Sequence, residues 1–212
     1  MTNPSKLYTA ILEGDAKSAV ALTKDALASG ADPMELVTGH MMPAMDEVGH
    51  LFETEEYFVP ELLLAARAMK ASLELIRPLL AAQGAQPVGR VVIGTVKGDL
   101  HDIGKNLVAS MLEGAGFEVT DLGTDVAPER FVESAKARNA DIIALSALLT
   151  VTMPSMRNVV DAVKQAGLQG RVKIMVGGAP VTRQYADEIG ADAYSEHAAA
   201  AVATARKVMA VA

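Results

Sequence analysis

The residues best suited to chemistry stand close together in one segment. Residues 95–106 read Thr-Val-Lys-Gly-Asp-Leu-His-Asp-Ile-Gly-Lys-Asn, which puts Asp99 and His101 two positions apart. In an extended or looping backbone, residues i and i+2 can point to one side. Asp99 can then accept a hydrogen bond from one ring nitrogen of His101, setting its tautomer and leaving the other nitrogen free. Carboxylates back metal-binding histidines in this way. A single His suffices where the metal already has four ligands in a macrocycle. The competing reading is a helix N-terminus that Asp99 or Asp102 caps, with His101 merely exposed. The segment is not a P-loop, which ends in Gly-Lys-Ser/Thr, and not a GxGxxG dinucleotide fingerprint.

Composition narrows the chemistry. The 212 residues include no Cys and four His, at positions 40, 50, 101 and 197. That excludes disulfides, thiolate-bound zinc, cysteine-held iron–sulfur clusters and cysteine nucleophiles. Hydrophobic residues make up 50% of the chain but aromatic ones only 4%, so the core must be aliphatic and methionine-rich. The net charge is −7 and no basic tract exists, which argues against nucleic acid or an anionic membrane as partner. The opening MTNPSKLYTA has no charged stretch followed by an apolar one, so no signal peptide is expected. Apolar runs such as Ile142–Leu145 and Ala198–Ala203 are too short to span a bilayer. A soluble, cytoplasmic protein is expected.

The elements that must position this segment fall into two grammars. From Ser5 to Leu80 the apolar residues recur at helical spacing: Leu7, Ile11, Ala19, Val20, Leu22 and Leu27, then Leu36, Val37, Met41, Met45 and Val48. Gly30 stops one helix, and Asp32-Pro33 starts the next as N-cap and first helical residue. Met34–Val48 and Glu61–Leu80 read as further helices, giving a four-helix bundle over residues 1–82. Residues 83–89 read as a linker. From residue 90 to 212, β-branched runs alternate with helical segments. Strands are expected at Val91–Val96, Phe117–Leu122, Ile142–Leu145, Val172–Val176 and Ala191–Tyr194. Helices are expected near Ile103–Glu113, Pro128–Ala137, Pro154–Ala166, Thr182–Ile189 and His197–Val211. This is the pattern of a parallel five-stranded sheet covered on both faces, a doubly wound α/β Rossmann-like or flavodoxin-like domain. Residues 1–88 hold 6 Lys and Arg against 12 Asp and Glu, whereas glycine is commoner after residue 88, with 12 of 17. Ligand binding is therefore expected at the carboxyl ends of the strands in the second half.

Asp99-x-His101-x-x-Gly104 resembles the DxHxxG signature of cobalamin-binding domains. Ser146-Ala147-Leu148 resembles that family's SxL after the third strand, and Gly177-Gly178 its GG after the fourth. The first half is similar to the helical cap of methionine synthase and of the small corrinoid proteins of methyltransferase systems. The resemblance implies a cobalamin or related corrinoid, such as methylcobalamin, bound base-off and His-on. His101 would be the lower ligand of cobalt, Asp99 would hydrogen-bond its other nitrogen, and Thr152 would extend the relay where methionine synthase has Ser. Gly104, Gly177 and Gly178 would make room for the nucleotide tail, and Gly98, Asp102 and Ile103 would also bind the cofactor. Ser146 and Thr150 would offer it hydroxyls, and Leu148 a wall. Phe52 and Val59 match the two side chains that shield the methyl-bearing face. His40 and His50 read instead as surface or helix-end residues, and His197 as a first-turn residue of the last helix. Without the resemblance, Ser146 reads as a strand-end turn residue, Phe52 as bundle core, and Glu53, Glu55 and Glu56 as a solvated face.

The resemblance also implies a role. A substrate-specific methyltransferase, a TIM barrel, would load a methyl group onto cobalt(I). A second methyltransferase would pass it from methyl-cobalt(III) to coenzyme M or tetrahydrofolate. This chain cannot house such a barrel, which needs about 250 residues. It would thus be the methyl-carrying component of a multi-protein system, not a complete enzyme. Without cluster ligands it would rely on a reductive activase after accidental oxidation. Methanol, methylamines, quaternary amines and aryl methyl ethers are all eligible donors. The alternatives are a cobalamin-dependent sensor and the carrier domain of an adenosylcobalamin mutase.

Overall fold

The computed structural model describes residues 4–84 and 86–210. The chain divides into two compact units. One comprises the residues up to Val88 together with Ser110–Gly116, the other Gly89–Ala109 and the residues from Phe117 onward.

The first unit is helical: α1 (Pro4–Leu12), α2 (Ala16–Ala28), α3 (Pro33–Leu36), a π-helical turn (Val37–Met41), α4 (Met42–Glu53) and α5 (Val59–Ala82). Asp15 caps α2 by accepting from the Ser18 amide at 3.0 Å. Asp32 caps α3, with Pro33 in the first turn. On α5, Leu62, Ala65, Ala66, Met69, Leu73 and Ile76 form a buried stripe spaced by three and four residues, and α2 lies along this helix. The expected single helix over Met34–Val48 is instead interrupted by the π turn. Pro43 has no N–H to offer the carbonyl of Gly39, and the Met42 amide reaches back to Val37.

The second unit alternates strand and helix: β1 (Arg90–Thr95), α6 (Ile103–Gly114), β2 (Glu118–Asp121), α7 (Pro128–Arg138), β3 (Ile142–Ser146), α8 (Pro154–Gln165), β4 (Lys173–Gly177), α9 (Arg183–Ile189), β5 (Ala193–Ser195) and α10 (Ala198–Ala210). All strand pairs are parallel and their order is β2-β1-β3-β4-β5. Every expected strand and helix is present, with ends shifted by one or two residues; Val211 lies outside the described residues. The inner strands are buried along their length except at end residues such as Arg90, Ser146, Lys173 and Gly177, as a sheet covered on both faces requires. Gly94 lets α7 pack closely, since a Cβ there would come within 2.8 Å of the Phe131 ring. The strand order reverses between β1 and β3, so the connections leaving their carboxyl ends diverge there. In doubly wound sheets that switch point opens the ligand crevice.

Candidate functional site

The loop from Val96 to Asp102 leaves β1 at the switch point. Asp99 lies in it with no exposed surface. Its Oδ1 accepts from the His101 amide at 3.1 Å and lies 2.8 Å from His101 Nδ1. Its Oδ2 accepts from Thr152 Oγ1 at 2.7 Å and from the amides of Leu148 at 2.8 Å and Leu149 at 3.2 Å. One buried carboxylate thus ties the loop after β1 to the loop after β3. Burial by itself pushes the Asp99 carboxyl up. The hydrogen bonds from Thr152, Leu148 and His101 outweigh it and hold the group well below the usual carboxylate range.

A carboxylate only accepts, so the proton between the two side chains sits on Nδ1. Nε2 makes no hydrogen bond to the described residues, and the His101 side chain is half exposed. Thr152 is buried and has one hydroxyl proton for two acceptors, Asp99 Oδ2 and the Leu149 carbonyl at 2.8 Å. Asp99 is therefore not the cap of α6. That position falls to Asp102, whose carbonyl takes the Asn106 amide at 2.7 Å and whose carboxylate takes Asn106 Nδ2 at 3.1 Å.

Around the imidazole the surface is apolar. Leu100, Ile103 and Val151 are 73%, 79% and 81% exposed, and Leu148 and Leu149 are partly exposed, all in the two loops that Asp99 joins or, for Ile103, at the start of α6. Large aliphatic side chains held in water beside a histidine mark a binding face. Ser146 ends β3, half-buried, in register with Thr95 on one side and Gly177 on the other. Thr150 is exposed in the same loop. Gly178, at φ 130°, presses its backbone against the β3 exit: a Cβ there would lie 1.9 Å from the Ala147 carbonyl oxygen. Gly98 also has a left-handed φ, of 87°. At Gly104 the opposite holds, because nothing lies within 4 Å of where a Cβ would be.

The structure thus brings together Asp99, His101, Leu148 and Thr152, with Gly98, Asp102, Ile103 and Gly104 in the same loop and helix start. Phe52 and Val59 belong to the helical unit, Phe52 half-buried near the end of α4 and Val59 exposed at the start of α5. His50 is exposed in the last turn of α4, and His40 lies in the π turn. His197 precedes α10 instead of lying in its first turn, and its Nδ1 accepts from the Ala200 amide at 3.2 Å. Among the described residues, no three His, Asp or Glu side chains converge on a common point. No helix among them is long and apolar enough to cross a membrane.

Several residues that hold the loop escaped the reading of the sequence. Thr95 Oγ1 donates to the His101 carbonyl at 2.8 Å, and Ser155 Oγ to that of Lys97 at 3.0 Å. Lys105, buried in the first turns of α6, pairs with Asp121 at the end of β2. Asp125 binds Lys97 and the Gly98 amide. The available signal was the polar run Asp121-Leu-Gly-Thr-Asp125 directly after a strand, at the same sheet end as the histidine loop.

A B12 binding domain model matches residues 89–203, and a second B12 binding domain model matches residues 5–77. Dimethylamine corrinoid protein 1 of Methanosarcina acetivorans is 46% identical over 195 residues, 92% of this chain and 92% of its own length. Trimethylamine corrinoid protein 1 of Methanosarcina mazei is 47% identical over 196 residues, 92% of this chain and 91% of its own. Among solved structures, the methanol:cobalamin methyltransferase complex of Methanosarcina barkeri includes a chain that superposes with a TM-score of 0.87 at 29% identity, over 98% of this chain and 79% of that one. A buried carboxylate behind a half-exposed histidine, inside a domain matched over more than half the chain, has one consistent reading: the chain belongs to the B12-binding domain family.

Proposed function

We propose that this protein is a cytoplasmic corrinoid methyl carrier. The observation that carries the reading is the Asp99–His101 pair, with Nδ1 engaged at 2.8 Å and Nε2 bonded to none of the described residues. The donor set fits the group. A corrin brings four equatorial nitrogens, so one imidazole is all the protein needs to add, and the aliphatic rim of Leu100, Ile103, Leu148, Leu149 and Val151 suits a large macrocycle. When bound, the corrinoid supplies a cobalt centre able to take up and give up a methyl group.

The remaining work falls to the chain. His101 would hold the cofactor through Nε2. Asp99 orients the ring and keeps the proton on Nδ1. Thr152 steadies the carboxylate, and its second acceptor, the Leu149 carbonyl, lets the hydroxyl turn away if a proton arrives on the pair. Gly104 leaves room for the nucleotide tail, Ser146 and Thr150 offer it hydroxyls, and Leu148 forms a wall, while Gly177 and Gly178 let the backbone pass close to Ser195 and Ala147. The partners are a methyltransferase that supplies the methyl group, a second one that passes it to coenzyme M or tetrahydrofolate, and a reductive activase. The dimethylamine and trimethylamine relatives favour a methylated amine as donor over methanol.

The test uses the protein reconstituted with hydroxocobalamin, a strong reductant, and methyltransferases specific for methylamines, methanol or aryl methyl ethers, each added in turn. Loss of methyl groups from a methylamine in proportion to added carrier is the expected result. No loss from any methylamine, methanol or aryl methyl ether would sink the carrier reading.

Gly104 gives a second check. Nothing occupies the space beside it, and its φ is not left-handed, so Gly104→Ala should leave the cofactor-free protein folded and raise its stability by about 0.5–1 kcal/mol. Hydroxocobalamin affinity should nonetheless fall by about tenfold or more, which is about 1.4 kcal/mol. Unchanged affinity by titration would remove Gly104 from the path of the tail.

A further inference from the structure

Asp125 stands between β2 and α7, 26 positions from Asp99, with a left-handed φ of 53° and a side chain 42% exposed. An exposed residue in that conformation is not there to fill a core. Asp and Asn tolerate the region better than other non-glycine residues. Its contacts explain the choice. Oδ1 accepts from the Gly98 amide at 2.8 Å, Oδ2 pairs with Lys97 Nζ at 3.0 Å, and its own amide donates to the Asp99 carbonyl at 2.9 Å. One residue thus grips positions 97, 98 and 99 at once. The Asp99 amide is held in turn by the Val96 carbonyl at 3.1 Å, so the backbone of Asp99 is clamped on both sides. With its backbone clamped, the carboxylate of Asp99 can face His101 on one oxygen and the loop after β3 on the other.

We infer that Asp125 is a positioning residue for the Asp99–His101 pair, acting through the hydrogen bond from Gly98 to its side chain. The inference rests on the reading of His101 as the cofactor's lower ligand. Thr95 and Ser155 hold the same loop independently, so loss of the Asp125 side chain misaligns the pair without unfolding the unit.

Two variants separate the contributions. Asp125→Gly removes the acceptor and fits the left-handed backbone; Asp125→Asn keeps an acceptor for Gly98 and gives up the ion pair with Lys97. In cofactor-free protein, amide hydrogen exchange at His101 and Leu148, two of the three amides bound to Asp99, should quicken about tenfold in Asp125→Gly. Exchange at Val92 and Ile143 in the strands should stay as in the wild type, and Asp125→Asn should match the wild type throughout. Bound to methylcobalamin, Asp125→Gly should lose part of its His-on absorption, and Asp125→Asn should keep it. Wild-type exchange at His101 and Leu148 in Asp125→Gly would overturn the inference. So would quickened exchange that extends evenly into the strands, or Asp125→Asn behaving like Asp125→Gly. If the wild type itself takes up no methylcobalamin, the carrier reading fails, while exchange in the cofactor-free protein still decides the role of Asp125.

Discussion

Asp99→Ala is expected to cost the second unit about 2–4 kcal/mol of stability, the range for losing several hydrogen bonds to one charged, buried acceptor. The amides of Leu148 and Leu149 and the amide and ring of His101 lose their partner together, and Thr152 keeps only the Leu149 carbonyl. The loops after β1 and β3 are tied through that side chain, so the loss spreads beyond one residue. Asp99→Asn has nearly the same shape but cannot accept from every donor, because its NH2 must face one of them. A pH dependence accompanies this effect. The folded-state pKa of Asp99 is depressed, so its contribution is fully present above the unfolded value of about 4 and is lost as pH falls below it. Urea unfolding of cofactor-free wild type should therefore weaken steeply from about pH 5 downward. Asp99→Asn should start lower at pH 7 and lose less on acidification. An equal acid slope in the two proteins would show that Asp99 does not carry the linkage.

His101→Ala should do the reverse, sparing the fold and damaging cofactor handling. The imidazole is half exposed, and its removal leaves Asp99 with the His101 amide, Thr152 and two loop amides as donors. The expected stability change is within about 1 kcal/mol, as for most exposed side chains. Bound cobalamin should lose its His-on absorption. Methyl transfer should fall by more than the roughly 10–100-fold that removing a ligand's supporting partner costs. An unaltered spectrum in His101→Ala would remove His101 from the cobalt. Read together, the two variants separate ligand from support: one is folded and His-off, the other is destabilised as well.

Much of this was legible in the sequence because it is local. Strand periodicity in Val91–Val96 and Ile142–Leu145 depends on neighbours along the chain, and so does the Asp32-Pro33 helix start. The two-residue spacing of Asp99 and His101 already allows their side chains to meet. Thr152 was found only through the resemblance, since no local rule relates positions 99 and 152. Asp125, Ser155 and Lys105 were invisible for the same reason. Each acts on a residue brought near it by the strand order β2-β1-β3, which linear spacing does not reveal. Thr95 bonds the His101 carbonyl only six positions on, through a loop path that spacing alone does not give.

The π turn shows the limit on the helical side. Apolar spacing reports which face is buried, but it cannot register the lost hydrogen bond at Pro43 that widens one turn.

By itself the amino-acid sequence determined the alternation of strands and helices, the absence of thiolate chemistry, and a single histidine with a carboxylate within reach. Only the tertiary structure decided whether Asp99 caps a helix or supports that histidine. Free of its surroundings, a carboxylate two residues from an imidazole can do either. Burial removes water as a competing partner, and the loop after β3 supplies three donors from some fifty residues away. A charge that is desolvated and hydrogen-bonded from two loops has one stable orientation, and that orientation turns Nδ1 of His101 inward and leaves Nε2 outward.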